Sequence, residues 1–198
     1  MKYDIAVLPG DGVGVEVMEE GLKVLEAVGK RFGHEFSYKR GVVGGAAIDA
    51  KGTALPDDVL PMIKTCDALL FGAVGGPKWD NPTAKVRPEQ AILGLRKGLG
   101  VYANLRPVYV FPMLENATPL KPEVVRGVDI IVLRELTGGI YFGTPQKTWT
   151  SARGRQSVDT LRYSEKEIER IVRTGFELAR SRRKKLTSVD KANVIETS

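Results

Sequence analysis

Apolar positions along the first hundred residues switch between two spacings, and the switch predicts strands separated by helices. Short apolar runs of strand length lie at residues 2–9, 35–43 and 67–73. Helical spacing of apolar residues follows over about 13–31, 56–65 and 89–97, with Val17, Met18, Leu22, Leu25 and Val28 as the predicted buried face of the first helix. Alternating strands and helices predict an α/β fold, in which helices pack on a parallel sheet.

Residues 101–198 carry a different pattern. Strand-like runs lie at 102–111 and 129–135, and residues 138–160, rich in glycine, threonine and aromatics, predict an extended hairpin or arm. Ser164 followed by Glu167 is a capping box, which predicts a helix to about residue 182. The predicted buried face of this helix is Ile168, Ile171, Val172, Gly175 and Ala179. A last strand is predicted over 186–190.

The composition is that of an ordinary globular protein, because 42% of the 198 residues are apolar and 27% are charged. No apolar run reaches the roughly 18 residues of a membrane span, and the N-terminus lacks the apolar core of a secretory signal. The single cysteine, Cys66, cannot form an internal disulfide. We therefore expect a cytoplasmic protein.

The net charge of +6 does not by itself indicate a nucleic-acid partner. Five of the basic residues cluster at Arg180, Arg182, Arg183, Lys184 and Lys185. Cations at this place complement the negative end of the preceding helix, and no RNA-recognition motif, zinc finger or leucine zipper accompanies them. We therefore expect no nucleic-acid partner, an expectation that the salt dependence of DNA retention would test.

A glycine-rich turn, Gly10-Asp11-Gly12-Val13-Gly14, follows the first predicted strand. The dinucleotide-binding fingerprint requires G-x-G-x-x-G and an acidic residue at the end of the second strand. Here the third glycine comes one residue early, and residues 39–43 contain no acid. The sequence therefore favours a tight turn over a standard Rossmann site.

Three arginines, Arg96, Arg106 and Arg134, stand beside apolar segments. A guanidinium group in such a place needs a counter-charge. A protein carboxylate is one candidate, although Glu135, next to Arg134, points to the opposite face of its strand. A ligand with several carboxylates, held by bidentate hydrogen bonds, is the other. The residues alone leave both candidates open.

Tyr141 follows a glycine pair, and Lys191 ends the last predicted strand. Each is more often structural, but a lysine charge beside a phenol favours the phenolate and would allow proton transfer. The only histidine, His34, lies far from these motifs in the sequence. Neither a Ser-His-Asp triad nor a cysteine nucleophile therefore fits the chain well.

Five separated segments together resemble the β-decarboxylating dehydrogenases, the family of isocitrate and isopropylmalate dehydrogenases. They are LPGDGVG at 8–14, LLFGAVGGPKWDN at 69–81, RPEQAILGLRKGLGVYANLRP at 87–107, LRELTGGIYFG at 133–143 and SVDKANV at 188–194. The resemblance covers essentially the whole chain, in the family's order. It implies a two-domain α/β fold, with a first, cofactor-side domain over 1–100. A second domain for dimerisation and substrate would cover 101–198, with its arm at about 138–160.

The resemblance also implies an activity, the oxidation of a 2-hydroxy acid with NAD followed by loss of the β-carboxylate as carbon dioxide. Arg96, Arg106 and Arg134 match the arginines that hold the substrate's carboxylates, so we expect them to converge on one anion. Tyr141 matches the tyrosine that protonates the enol, and Lys191 matches the lysine that helps to take the hydroxyl proton. In the family this lysine belongs to the second subunit of a homodimer. We therefore expect Tyr141 and Lys191 to lie apart within one chain.

Substrate and cofactor contacts are implied in the same way. The residues that match the surroundings of the substrate's γ-group are Glu89, Ile92, Leu93 and Val194. The apolar members of this set suit an isopropyl group, as in 3-isopropylmalate, and would bury the third carboxylate of isocitrate unfavourably. Homoisocitrate and tartrate are less easily excluded. The residues that match nicotinamide-cofactor contacts are Gly76, Pro77, Lys78, Trp79, Asp80, Asn81, Glu89 and Asn193.

The chain departs from the family in its length. The family's Mg²⁺ or Mn²⁺ is held by aspartates beyond the SVDKANV segment, and the segment that binds the adenosine half of NAD also comes later. We therefore expect no metal ligand in this chain, and we expect the first half of such an enzyme, inactive and poorly stable by itself. A hypothesis of another class is a non-catalytic remnant that binds anions or partners through its arginines.

Overall fold

The computed structural model describes residues 1–197, and the chain divides into two compact units, Met1–Gly100 and Val101–Ser198. Strands and helices alternate in the first unit. In chain order its elements are β1 (Lys2–Gly10), α1 (Val13–Phe32), β2 (Glu35–Arg40), α2 (Gly45–Lys51), α3 (Val59–Lys64), β3 (Ala68–Ala73) and α4 (Glu89–Leu99).

The first unit is built around a parallel sheet with the strand order β2-β1-β3. Its central strand β1 is covered on both faces. Ile5 and Val7 pack against α1, whereas Ala6 and Leu8 pack against α3 and α4. Burial on both faces explains why β1 reads as a continuous apolar run rather than an alternating one. The predicted α/β fold is confirmed.

The second unit contains two separate antiparallel pairs of strands and one long helix. Its elements are β4 (Ala103–Tyr109), α5 (Pro122–Val125), β5 (Asp129–Glu135), β6 (Lys147–Ser151), β7 (Gly154–Val158) and α6 (Glu165–Arg180). The ladder of β4 and β5 runs from Ala103 opposite Glu135 to Tyr109 opposite Asp129. Pro107 is compatible with β4 because this strand pairs on one side only within the described residues.

Two local predictions for this unit are confirmed. The predicted arm contains a hairpin in which β6 and β7 pair from Lys147 opposite Val158 to Ser151 opposite Gly154. The capping box opens α6, since the Ser164 hydroxyl accepts a hydrogen bond from the Glu167 N–H and the Ser164 N–H donates to the Glu167 carboxylate. Two backbone N–H groups at the start of the helix are thereby satisfied.

Three features of the first unit differ from the predictions. The second strand ends at Arg40 rather than residue 43, because Gly44 has a φ of +75° and starts the short helix α2, which the apolar pattern did not reveal. Seven residues are too few to display a helical period. On α1, Met18 is buried but Val17 is 52% exposed, so the predicted buried face was too wide.

In the second unit, the predicted strand over 186–190 is wrong, since none of these residues pairs with a strand among residues 1–197. The predicted buried face of α6 is also partly wrong, because Ile168 and Val172 are exposed. Two polar contacts orient the helix instead. Arg170 pairs with Glu135 and Thr174 shares a hydrogen bond with Tyr102, which turns that side of α6 toward the strands.

The turn after β1 yields a matched pair of glycine substitutions. Gly10 and Gly12 both have positive φ, +74° and +53°, but a Cβ on Gly10 would lie 1.9 Å from the Ala73 carbonyl oxygen, whereas one on Gly12 meets open space. We expect Gly12→Ala to lower the free energy of unfolding by about 1–3 kcal/mol through backbone strain alone. Gly10→Ala adds overlap with the backbone, so we expect a loss above about 4 kcal/mol.

Urea unfolding followed at Trp79, the tryptophan of the first unit, measures both losses. Equal losses in the two variants would contradict the close approach of β1 and β3 at Gly10.

Candidate functional site

One face of the β4–β5 pair brings together two of the arginines singled out by the sequence. Asn104 lies directly opposite Arg134 in the ladder, and Arg106 is two residues further along β4. Residues opposite one another, and residues two apart on a strand, share a face. Arg106 and Arg134 are therefore diagonal neighbours, about 7–8 Å apart by usual strand geometry.

Neither of these two arginines pairs with a carboxylate among residues 1–197. The Arg106 Nε donates a hydrogen bond of 2.6 Å to the Asn104 side-chain oxygen. The Arg134 guanidinium carbon lies 5.2 Å from the centroid of the Tyr141 ring. Asn104 was not identified from the sequence, although its position two residues before Arg106 placed it on the same face of β4. The positive charges of Arg106 and Arg134 are thus left for a ligand or solvent.

Tyr141 reaches this face through a tight turn after β5. Gly138 and Gly139 lie against the ring of Tyr163, where a Cβ on Gly139 would come within 2.4 Å of the Tyr163 hydroxyl oxygen. Gly139 also has a φ of +74°. The turn ends in the single helical turn Gly139–Tyr141, and the Tyr141 side chain is 57% exposed. The glycine pair thus lets the chain turn closely enough to place a solvent-accessible phenol beside Arg134.

Glu135 points to the opposite face of β5 from Arg134, as the alternation predicts. Its carboxylate accepts hydrogen bonds from the Thr137 and Gly138 N–H groups, at 2.8 and 2.7 Å, and pairs with Arg170. Burial by itself raises the pKa of Glu135, but the hydrogen bonds from Gly138, Thr137 and Arg170 outweigh burial and lower the pKa below its usual 4.5. Glu135 is therefore the structural charge that supports the turn carrying Tyr141.

Lys191, Asn193 and Val194 lie together in an exposed turn, where the Val194 N–H donates to the Lys191 carbonyl oxygen at 2.9 Å. Within the described part of the chain, no hydrogen bond joins Lys191 to Tyr141. Completion of the site by Lys191 of a second subunit stays a prediction.

In the first unit, α4 presents four of the predicted residues on one side. A spacing of 3.6 residues per turn places Glu89, Ile92, Leu93 and Arg96 on a common face. The core face is nearly opposite and buries Ala91 and Leu95. Ile92, Leu93 and Arg96 are half-buried, and Glu89 forms an ion pair with Arg87. The convergence of Arg96 with the other two arginines stays a prediction.

The predicted cofactor segment, 76–81, is held by contacts with α2. Asp49 of α2 accepts hydrogen bonds from the Lys78 ammonium at 2.6 Å and from the Trp79 indole N–H at 3.2 Å. The Trp79 ring covers Gly45, where a Cβ would lie 2.4 Å from the ring atoms. Asn81 caps the following turn by accepting from the Thr83 N–H at 3.0 Å. Asp80 and Asn81 expose polar side chains, which can hydrogen-bond to a nicotinamide carboxamide or ribose.

The described residues do not supply a metal site, because no three His, Cys, Asp or Glu side chains within 1–197 come together as a metal ion requires. No helix in the same range is long and apolar enough to cross a membrane.

Part of the basic cluster has local partners. Arg182 and Arg183 both donate to Asp129, at 2.8 and 3.0 Å from its carboxylate oxygens. Hydrogen bonding from Arg182, more than that from Arg183, lowers the pKa of the Asp129 carboxyl. These two arginines therefore fasten the segment after α6 to the start of β5.

The contacts of Glu135 lead to a prediction of how the free energy of unfolding depends on pH. A carboxyl whose folded pKa is lowered stabilises the fold above its unfolded pKa, near 4.5, and loses that contribution as the pH falls through the folded value. We expect Glu135→Gln to lower the free energy of unfolding by about 1–3 kcal/mol at pH 7 and to flatten the decline below pH 4.5. Urea unfolding followed by circular dichroism at several pH values measures both effects.

Glu169→Gln is the matched control, since Glu169 pairs with Arg173 on the exposed side of α6. We expect a loss below about 0.5 kcal/mol for this pair. Equal losses for the two variants at pH 7 would contradict the role of Glu135.

Comparison with known protein families matches residues 4–198 to the family described as isocitrate/isopropylmalate dehydrogenase. Among curated relatives, the chain is 57% identical over 199 residues to a 3-isopropylmalate dehydrogenase of Dehalococcoides mccartyi and 52% identical over 199 residues to that of Bacillus subtilis. Each alignment covers 100% of this chain but 54% of the relative. The chain therefore spans about half the length of the curated relatives it matches.

Solved structures agree with this comparison. Isocitrate dehydrogenase from Methylococcus capsulatus matches with a TM-score of 0.76 at 28% identity, over 98% of this chain and 53% of that one. A β-decarboxylating dehydrogenase from Thermococcus kodakarensis matches with a TM-score of 0.66 at 34% identity, over 98% and 50%.

Proposed function

The chain belongs to the isocitrate/isopropylmalate dehydrogenase family, and we propose that it serves the oxidative decarboxylation of 3-isopropylmalate to 4-methyl-2-oxopentanoate with reduction of NAD, a step of leucine biosynthesis. The curated relatives with 52–57% identity that carry this enzyme's name support the proposal. The single structural observation behind it is the arginine pair, Arg106 and Arg134, which share one face of β4–β5 without carboxylate partners within the described residues.

Two guanidinium groups at this spacing suit a substrate with two carboxylates. Each guanidinium presents paired N–H donors that match a carboxylate in a planar, bidentate arrangement. Asn104 orients Arg106, and the Tyr141 ring lies beside Arg134, so both charges are held before a ligand arrives. Orientation before binding lowers the entropic cost of fixing the substrate.

The proposed chemistry assigns the two proton transfers to different side chains. Lys191, provided by the second subunit of a homodimer, helps to remove the hydroxyl proton while the hydroxyl-bearing carbon of the substrate is oxidised to a ketone. A bound nicotinamide cofactor would supply the hydride acceptor for this oxidation. Loss of carbon dioxide leaves an enolate, whose carbon takes one proton from the Tyr141 phenol to give the neutral ketone. The Arg134 guanidinium lies over the face of the Tyr141 ring, 5.2 Å from its centroid, and helps to hold the ring in place.

Substrate selection is assigned to the half-buried side of α4 that carries Ile92 and Leu93. Ile92 and Leu93 are apolar but lie away from the core formed by Ala91 and Leu95, which supports a role in contacting an apolar group of the ligand. By the family resemblance, Val194 and the stem of Glu89 are further candidates for contact with the isopropyl group. A third carboxylate held against Ile92 and Leu93 would lose its hydration to apolar side chains, which is unfavourable.

The remaining partners are proposed from the family. NAD would lie along Gly76, Pro77, Lys78, Trp79, Asp80, Asn81, Glu89 and the second subunit's Asn193. Mg²⁺ or Mn²⁺ would be held by residues other than those described here. A cytoplasmic location fits the single, half-buried Cys66, which leaves no internal disulfide.

The experiment that tests the proposed function uses a full-length dehydrogenase made by joining this chain to the remaining part of the Bacillus subtilis relative. Its kcat/KM should be highest for 3-isopropylmalate among 3-isopropylmalate, isocitrate, homoisocitrate and tartrate. A preference of about tenfold or more is expected, since one missing or unsuited apolar group in a pocket costs about that much. Preference for any of the other three acids would contradict the assignment.

Replacement of Arg134 by lysine tests the anion site in the same full-length protein. Lysine keeps the charge but loses the paired donors. We expect KM for 3-isopropylmalate to rise about 10- to 100-fold, while KM for NAD stays within about twofold.

The control is Arg173→Lys, on the exposed side of α6, which should leave both constants unchanged. A rise in KM for NAD equal to that for the substrate would argue against a specific carboxylate contact.

Tyr141→Phe separates the two proton transfers, because phenylalanine keeps the ring beside Arg134 and removes only the hydroxyl. We expect release of decarboxylated product to slow by about 10²–10⁴-fold, with the pre-steady-state formation of NADH less impaired. Lys191→Ala should instead slow NADH formation by a factor in the same range. Equal impairment of both steps in Tyr141→Phe would remove the separate roles.

A further inference from the structure

The Asp11 carboxylate is the only charged side chain among the buried residues of the described chain, with 4% of the residue exposed. It sits in the glycine turn between β1 and α1. Its Oδ2 accepts hydrogen bonds from the Gly45 and Gly75 N–H groups, at 2.7 and 2.9 Å, and its Oδ1 accepts from the Ala46 N–H at 2.8 Å. One side chain therefore joins three segments that are far apart in the sequence.

The space around this carboxylate exists because its neighbours are glycines. A Cβ on Gly44 would lie 2.4 Å from the Asp11 Oδ2. Gly75, which donates to the same oxygen, has a φ of +104°, a conformation that side-chain-bearing residues rarely adopt. The three donors are backbone groups, so their positions are set by the chain path rather than by side-chain rotamers. Asp11 thus fixes the backbone path at Gly75.

Gly75 is also the first residue of the turn that carries the proposed cofactor contacts. From there the chain continues to Trp79, whose ring covers Gly45, and to Lys78 and the Trp79 indole N–H, which both bind Asp49. The segment 75–79 is held on α2 at two places. The inner place is the buried Asp11, and the outer place is Asp49, whose side chain is 42% exposed.

Resting on the proposed function, we propose that Asp11 is a positioning residue for the nicotinamide cofactor, which it serves by anchoring segment 75–79 to α2. The Asp11 side chain is enclosed by backbone donors and does not contact the cofactor. It acts through the backbone at Gly75 and through the position of the Trp79 ring over Gly45. The exposed contact at Asp49 contributes much less, because solvent weakens ion pairs at the surface.

The test compares Asp11→Asn with Asp49→Asn in the full-length dehydrogenase described under the proposed function, with every tryptophan other than Trp79 replaced by phenylalanine, so that emission comes from Trp79 alone. In Asp11→Asn either orientation of the amide turns its NH₂ group toward at least one of the three backbone donors. We expect exchange of the Gly75 and Ala46 amide hydrogens to become about 10- to 100-fold faster. Emission of Trp79 should shift to longer wavelength as the ring leaves Gly45.

A purely structural role would disturb the sheet as well, whereas a positioning role would not. In Asp11→Asn we therefore expect exchange at Ala6, Val7 and Leu8 in β1 to stay within about threefold of the unaltered chain. The dissociation constant for NAD, measured by quenching of Trp79, should rise about tenfold or more. Asp49→Asn should change exchange at Gly75 and the NAD constant by less than about threefold. Equal loss of protection in β1 and at Gly75 would overturn the positioning role.

Two outcomes separate this proposal from the proposed function. If the unaltered chain shows no NAD-dependent quenching, the cofactor contact of this segment has failed, and the positioning role fails with it. If the unaltered chain binds NAD but Asp11→Asn binds equally well, only the positioning role is overturned.

Should Asp11→Asn not fold, Gly45→Ala serves instead. Its Cβ displaces the Trp79 ring while the Asp11 carboxylate remains, and an unchanged NAD constant in this variant would overturn the proposal. Exchange in the unaltered chain adds a direct check, since the amides of Gly45, Ala46 and Gly75 should be protected.

Discussion

Each unit of this chain depends on a carboxylate that accepts hydrogen bonds from backbone N–H groups of a glycine-containing turn, and in the first unit also from the start of α2. Asp11 accepts from Gly45, Ala46 and Gly75 in the first unit, and Glu135 accepts from Thr137 and Gly138 in the second. Turns of this kind lack the regular partners that helices and strands provide for their own backbone. The carboxylates supply those partners, and the turns that they hold are the ones that carry the candidate site residues.

The candidate site residues lie on the sides of their elements that the core does not use. On α4, Ala91 and Leu95 face the core, whereas Ile92, Leu93 and Arg96 occupy a nearly opposite face. On β5, Glu135 turns toward α6 while Arg134 turns away from it. Folding and ligand contact therefore draw on different side chains of the same elements. Substitutions at the ligand-facing positions should leave the packing of either unit largely intact.

Much of this arrangement follows from local sequence signals, because these signals act over a few residues. The apolar run at β1, the capping box at Ser164 and the alternation that separates Arg134 from Glu135 each predict the observed structure. Helix α2 was missed because seven residues show no period. The rotation of α6 was missed because Arg170 finds its partner 35 residues away. The sequence predicts only that Asp11 lies in a turn. It does not reveal the three hydrogen bonds of Asp11, because the donors belong to segments that no local pattern connects to it.

The register of β5 has a consequence for how this protein can vary. Adjacent positions carry opposite charges on opposite faces, so a slip of one residue would exchange them. The carboxylate would then stand on the ligand face, repelling an anion, and the guanidinium would enter the side packed against α6. Insertion or deletion of a single codon within this strand would thus invert the electrostatic polarity of both faces at once. Residues of β5 can therefore be replaced during evolution, but their number cannot change without inverting the two faces.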